Sequence, residues 1–452
     1  MGRGRAVLVG VSLAAMSACG SADDQTTSSA SEDSDDATVE DAADLTVPGS
    51  VLDADEQPQV NALSLRFGSL TERQIDIGAD GRNTTAAVAG MNEFATDLYT
   101  SVASGEPGNV VISPYSVTFT LSMIYAGARG ATATEMADVL HATDVPGWQE
   151  GINAYDLTLD ARTAGSPTSW SAANKVWTRP GLALRDDYLD VLTGVYGSPL
   201  AEADFATDAD GERRVINGWV EDRTNDLIPE LFPNGSLDAS TAMVLVNAVA
   251  LDAPWEFPFD PAATSDEAFT RPDGSTVNVD MMHYDEFLPS AWDEAYQAVE
   301  LPYGGGALSM VVIMPNDLAE FEASLTTESL NEVLESITDG GIHLSIPKWS
   351  ARTHLTLNDT LAAMGMATAF GPGADFSGMV DGGGLWLDLV EHEAFIEVDE
   401  QGTRAAAATG GAMVESHGPT IEINRPYLYV IRDRGAGTIL FIGRVNDPSQ
   451  VP

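Results

Sequence analysis

The chain has 452 residues, with 69 acidic side chains against 21 basic ones and a formal charge of −48. That balance excludes a basic nucleic-acid footprint and fits a protein kept soluble by self-repulsion, as in high salt. With 44% apolar residues it can bury a large core, and its length predicts either two domains or one large domain plus a tail.

Residues 1–18 read as an export signal: Arg3 and Arg5 precede an apolar run from Ala6 to Met16, followed by Ser17 and Ala18. The run is too short to span a bilayer. Cys19 is the only cysteine, so no disulfide can form within one chain. Its place behind small residues is similar to a bacterial lipobox. That likeness implies cleavage before Cys19 and lipid on its sulfur, anchoring the protein to the extracellular face of the cell membrane; the alternative is an ordinary secreted protein with an idle cysteine. Residues 19–82 then read as an acidic, Ser/Asp-rich tether. From Gly20 to Val60 there is no Lys or Arg, and low hydrophobicity with high charge cannot offset the entropy of ordering. Flexible chain of this length spans on the order of 40 Å. Residues 61–82 stay open between tether and added edge element, because Leu63, Leu65 and Phe67 alternate like a strand.

The folded region is expected over residues 83–450. Phe94, Leu98 and Val102 sit at helical spacing and predict a helix over Met91–Val102. Val110–Ile112 reads as a short buried strand, and Ser113-Pro114 is a helix start. Further helices are predicted at 134–140, 186–196 and 210–224, with a strand at 170–177. Ala242–Leu251 is almost wholly apolar and short, which suits a central strand buried on both faces. Strand signals and turns alternate from Ala268 to Pro315, and strands are expected at 342–349, 385–398, 427–431 and 438–445. Helices first and strands later predict an α+β fold with large mixed sheets.

Enzyme signatures are missing: the sequence holds no G-x-S-x-G elbow and no P-loop. His392-Glu393 starts like H-E-x-x-H, but Ile396 stands where the second histidine belongs. Asp208-Ala209-Asp210-Gly211 resembles part of a calcium loop, but Ala206 replaces its first carboxylate, so a turn leading a helix is the better reading. No enzyme, metal or cofactor is expected.

The most unusual stretch is Glu397–Gly418. It starts like a strand and then runs through Glu400-Gln401-Gly402-Thr403, Arg404, four alanines (Ala405, Ala406, Ala407, Ala408), Thr409 and two glycines. In an extended conformation Thr403, Ala405, Ala407 and Thr409 face one way, with no large or charged member, while Arg404, Ala406 and Ala408 face the other. Such a segment fits either an exposed loop or a narrow slot in a sheet. Glu400–Thr403 followed by small residues resembles the hinge of inhibitory serpins. The resemblance extends from about Asn92 to Pro448, through Val111-Ile112-Ser113-Pro114-Tyr115-Ser116, Leu245-Val246-Asn247, Trp255–Phe259, Ile423–Tyr427 and Leu440–Val445.

The resemblance implies a serpin fold of three mixed or antiparallel sheets with about nine helices and an exposed reactive-centre loop. It implies a monomer whose partner is a serine protease, trapped as a covalent acyl-enzyme when the loop inserts into the main sheet. Counting from Glu400 by the family's spacing places the reactive bond at Ser416-His417, with Glu415-Ser416 as the alternative. A serine there suits an elastase- or subtilisin-like target. The resemblance also maps Ser113, Ser116, Asn247 and His392 onto the shutter beneath the main sheet, and Trp255 onto the breach where the loop enters. Read without it, these are an N-cap, a helix-face serine, two satisfied core polar groups and a core aromatic. The competing expectation is a non-inhibitory serpin, a surface module that is cleaved as a substrate.

Overall fold

The longest apolar runs of the sequence become its central strands. The computed structural model describes residues 63–75, 81–403 and 419–451, all within the unit Val47–Pro452. The chain begins with β1 (Ser64–Arg66) and α1 (Gly81–Ala103), which buries Met91, Phe94, Leu98 and Val102. Apolar spacing predicts α1 only from Met91; its first turns, Gly-Arg-Asn-Thr-Thr, are too polar to reveal the start. β2 (Val110–Ile112) leads into α2 (Pro114–Tyr125). Ser113 caps α2 by accepting from the Ser116 N–H at 3.4 Å, and Pro114 takes the first helical position. α3 (Gly130–Val139) and α4 (Trp148–Thr163) follow; α4 was not expected, although it buries Trp148, Ile152, Tyr155 and Leu159 on one face.

Next come β3 (Ser169–Thr178), α5 (Asp186–Gly194), β4 (Leu200–Glu202) and α6 (Phe205–Arg223). Asp204 caps α6 at the Thr207 N–H, and Asp208 lies at a kink within the first turns of the helix. β5 (Met243–Pro254) is buried at ten of its twelve positions, as its apolar run requires, and only Asp252 is exposed. The strands β6 (Ser265–Thr270), β7 (Thr276–Phe287), β8 (Ser290–Trp292), β9 (Tyr296–Pro302) and β10 (Leu308–Pro315) then alternate with turns. Two helices, α7 (Leu318–Ala323) and α8 (Thr327–Ser336), precede β11 (Gly341–Pro347), β12 (Trp349–Thr356) and the single turn α9 (Asn358–Leu361). The chain closes with β13 (Leu389–Val398), β14 (Gly402–Thr403), β15 (Thr420–Glu422), β16 (Tyr427–Asp433) and β17 (Ile439–Val445).

These strands build three sheets: seven strands in the order β1-β4-β3-β5-β14-β13-β12, six in the order β2-β17-β16-β10-β9-β8, and four in the order β15-β11-β7-β6. With nine α-helices among the described residues, this is the α+β architecture expected. The large sheet buries side chains on both faces. On one, Leu245 and Val249 of β5 join the core of α1, α2, β16 and β17; on the other, Val244, Val246 and Ala248 meet Phe205, Ile216, Trp219 and Val220 of α6. Residues 61–82 were open between tether and edge element. Ser64–Arg66 pair antiparallel with β4, Ser64 opposite Glu202, so these three residues are an edge strand of the large sheet.

Candidate functional site at the gap of the large sheet

β5 and β13 run parallel and pair directly from Val244↔Leu389 to Ala250↔Phe395. Beyond that they part, and β14 sits between them. Gly402 and Thr403 pair antiparallel with Pro254 and Ala253 of β5, and Thr403 pairs with Val398 of β13. The chain therefore turns back at Asp399–Gln401 and places Gly402 and Thr403 inside the sheet. Glycine is required there because a Cβ on Gly402 would lie 2.3 Å from the Ala253 carbonyl oxygen and 2.6 Å from Pro254 Cα, both backbone atoms.

Thr403 takes the inward register expected of it. It is fully buried, and its hydroxyl meets the Tyr303 hydroxyl at 2.5 Å. Tyr303 in turn stacks on Trp255, with ring centroids 4.7 Å apart and planes at 7°. Trp255 follows the end of β5: its indole N–H donates to the Asp399 carbonyl at 2.9 Å and its backbone N–H to the Gln401 carbonyl at 2.8 Å. The Phe259 N–H donates to the Glu400 carbonyl at 2.8 Å, so the turn is clasped along its backbone. The Glu400 carboxylate pairs with Lys348 at 2.9 Å and accepts from Thr264 at 2.8 Å. Burial pushes that carboxyl up, but these two bonds outweigh it and hold it below the usual carboxylate value.

Below the point where β14 ends, one hydrogen-bonded cluster crosses the β5–β13 seam. The structure brings Ser113, Ser116, Asn247 and His392 together, all buried. His392 lies directly opposite Asn247, which lies opposite Asn174 of β3. His392 Nε2 accepts from the Ser113 N–H at 3.2 Å, so its proton is on Nδ1, which donates to Asn247 Oδ1. Asn247 Nδ2 lies within hydrogen-bond distance of Ser116 Oγ at 2.7 Å and of Thr120 Oγ1 and Asn174 Oδ1 at 2.9 Å. Ser113 Oγ donates to the Leu440 carbonyl at 2.7 Å. Burial, with the charge of His354 adding to it, drives the His392 pKa down to about 3, so the ring stays neutral in this cluster.

The sequence reading missed Asn174, Thr120 and Tyr303 as members of this site. Asn174 is the one that had a signal: a polar side chain midway along a strand-like run, between Ala173 and Lys175. Also missed was a charged group on the opposite face of β13. Buried Glu391 and Glu393 flank His354 of β12 at 3.0 and 3.2 Å, and Arg352 pairs with Glu393. Hydrogen bonds donated by His354 to Glu391 and then to Glu393 raise its pKa to about 9, so the cluster carries two cations against two buried carboxylates. Ala405, Ala406, Ala407, Ala408, Thr409, Glu415, Ser416, His417 and Cys19 lie outside the described residues. Among those that are described, no helix is long and apolar enough to cross a membrane.

A protein-family model described as Serpin (serine protease inhibitor) matches residues 89–448. An uncharacterised serpin-like protein of Thermococcus kodakarensis is 35% identical over 401 residues, covering 86% of this chain and 92% of that protein. The leukocyte elastase inhibitor of Bos taurus is 32% identical over 380 residues, covering 80% and 99%. Among solved structures, the thermophilic serpin tengpin in its native state superposes with a TM-score of 0.73 at 26% identity, covering 86% of this chain and 98% of that one.

Proposed function

Since the chain belongs to the serpin family, we propose that it is a suicide inhibitor of extracellular serine proteases of the elastase or subtilisin type. The protease serine oxygen attacks the carbonyl carbon of Ser416. The bond to the His417 nitrogen breaks, the amine takes up a proton, and the chain up to Ser416 is left as an ester on the protease. The freed hinge then extends β14 downward between β5 and β13, carrying the bound protease away before water can release it. The observation that carries this reading is the seat of β14: the large sheet already admits the first hinge residues at one end, while β5 and β13 remain zipped below.

The choice of target class rests on the serine at the reactive bond and on the likeness to a protein named as an elastase inhibitor. On this reading the inhibitor is a monomer, and lipid on Cys19 with the acidic leader behind it would tether it to the outer face of the membrane. A second reading, a serpin cleaved without trapping, draws support from Arg404, which stands where the family commonly carries an acidic residue. Incubating the full chain with a subtilisin- or elastase-like protease separates the two. An adduct that survives SDS supports inhibition; a nicked loop with no adduct supports the substrate reading.

A further inference from the structure

On a surface dominated by carboxylates, Phe287 stands out as a large apolar side chain left 78% exposed, and Trp292, five residues on, is 46% exposed. Neither is needed there by the fold: Phe287 ends β7, and Trp292 ends the edge strand β8. Aromatic side chains are frequent anchors where one protein docks on another, and what singles out Phe287 is its place.

Their position in the sheet gives the contact a partner. β15, the strand that follows residues 404–418, pairs parallel with β11, Thr420 opposite His343, and the His343 N–H donates to the Pro419 carbonyl at 3.0 Å. β11 pairs in turn with β7, where His343 faces Asp285 and Gly341 faces Phe287. Phe287 is thus at the end of the four-stranded sheet where the loop comes in. It lies two ladder spacings, roughly 10 Å, across from the start of β15. Ser416 stands three residues before Pro419 in the chain, so a protease closed on it would come within reach of this end of the sheet.

We infer that Phe287, with Trp292 five residues on in the chain, forms a secondary docking point for the attacking protease, beside the part of its cleft that holds residues C-terminal to the cut bond. This rests on the reading of residues 404–418 as protease bait. The partner has an apolar patch ringed by basic residues, because exposed Asp285, Asp293 and Glu294 surround the two aromatics in the chain. Asp285 is partly offset by His343, at 2.7 Å, but Asp293 and Glu294 have no basic partner among the described residues. With a net charge of −48 behind it, this rim favours a cationic protease and weakens with salt.

The test uses the full chain and whichever of a subtilisin-like and an elastase-like protease nicks the loop faster. The second-order rate of nicking and the fraction of nicked chains held as adduct are measured separately. Phe287→Ala is expected to slow nicking roughly fivefold to tenfold, the effect of removing one interface anchor, and Phe287→Asp to slow it further. Phe287→Leu should keep most of the rate. The adduct fraction should not move, since Phe287 is far from the β5–β13 seam. Ile75→Ala removes another exposed apolar side chain (72% exposed) and serves as control. Nicking by Phe287→Ala and Phe287→Asp at the wild-type rate overturns the proposal. Wild-type chain that is nicked without adduct overturns the inhibitory reading instead, and the nicking rates still decide this one.

Discussion

Thr403→Arg tests the link between the hinge and trapping most directly. Thr403 is fully buried against Tyr303, itself fully buried and stacked on Trp255. A guanidinium in that slot would be a charge taken out of water among the Tyr303 and Trp255 rings, a situation that costs about 3–5 kcal/mol. Against it, β14 gains two residues of ladder pairing, each hydrogen bond contributing about 0.5–1.5 kcal/mol. The charge wins, so the hinge should leave the sheet and resist seating after cleavage. The same energy added to the barrier slows insertion by roughly two to three orders of magnitude, which hands the race to hydrolysis of the ester. The assay is an SDS gel of the full chain after reaction with a subtilisin-like protease. Wild type and Thr403→Ser should give adduct; Thr403→Arg should give only nicked chain. Trapping by Thr403→Arg at the wild-type fraction would refute the idea that this position enters the sheet.

Three further outcomes follow from the same geometry. The unfolded chain protonates His392 near its ordinary value of about 6.5, whereas burial keeps the folded group neutral down to about 3. Between those values the unfolded state holds the extra proton, so lowering the pH should remove about 2 kcal/mol of stability from this group by pH 5. Urea midpoints of wild type and His392→Asn should therefore converge between pH 7.5 and 5; a constant gap would contradict the buried neutral ring. Nicking near residue 416 should raise the thermal midpoint, because residues after Thr403 become free to extend β14; an unchanged midpoint would mean that the intact fold holds no tension. Cys19→Ser should move the protein from the membrane fraction to the soluble one, and retention on the membrane would rule out a lipid on that sulfur.

Much of this was legible in the chain because the relevant residues obey local rules. Ser113-Pro114 declares a helix start through capping and a fixed φ, and the apolar run of β5 can only be a strand buried on both faces. The inward register of Thr403 was readable from the small side chains that alternate after it. What stayed hidden depends on partners distant in sequence. Nothing near Tyr303 announces that its hydroxyl meets Thr403, a hundred residues on. No local pattern shows that Glu391 and Glu393 are buried. They are buried because Arg352 and His354 arrive beside them from β12. α4 was missed since its start is Gly147 in a left-handed conformation with no side-chain cap, and its mixed polar sequence hides the apolar face. β1 was only half readable: Leu63, Leu65 and Phe67 alternate, but their pairing with β4 is not written locally.

The short seat of β14 also guards against the wrong guest. A cleft between two parallel strands exposes unmet N–H and C=O groups and invites any extended segment, including one from a neighbouring molecule. Here the mouth of the cleft is occupied by the molecule's own Gly402 and Thr403, bolted to Ala253, Pro254 and Val398. A stranger's loop must first evict a resident.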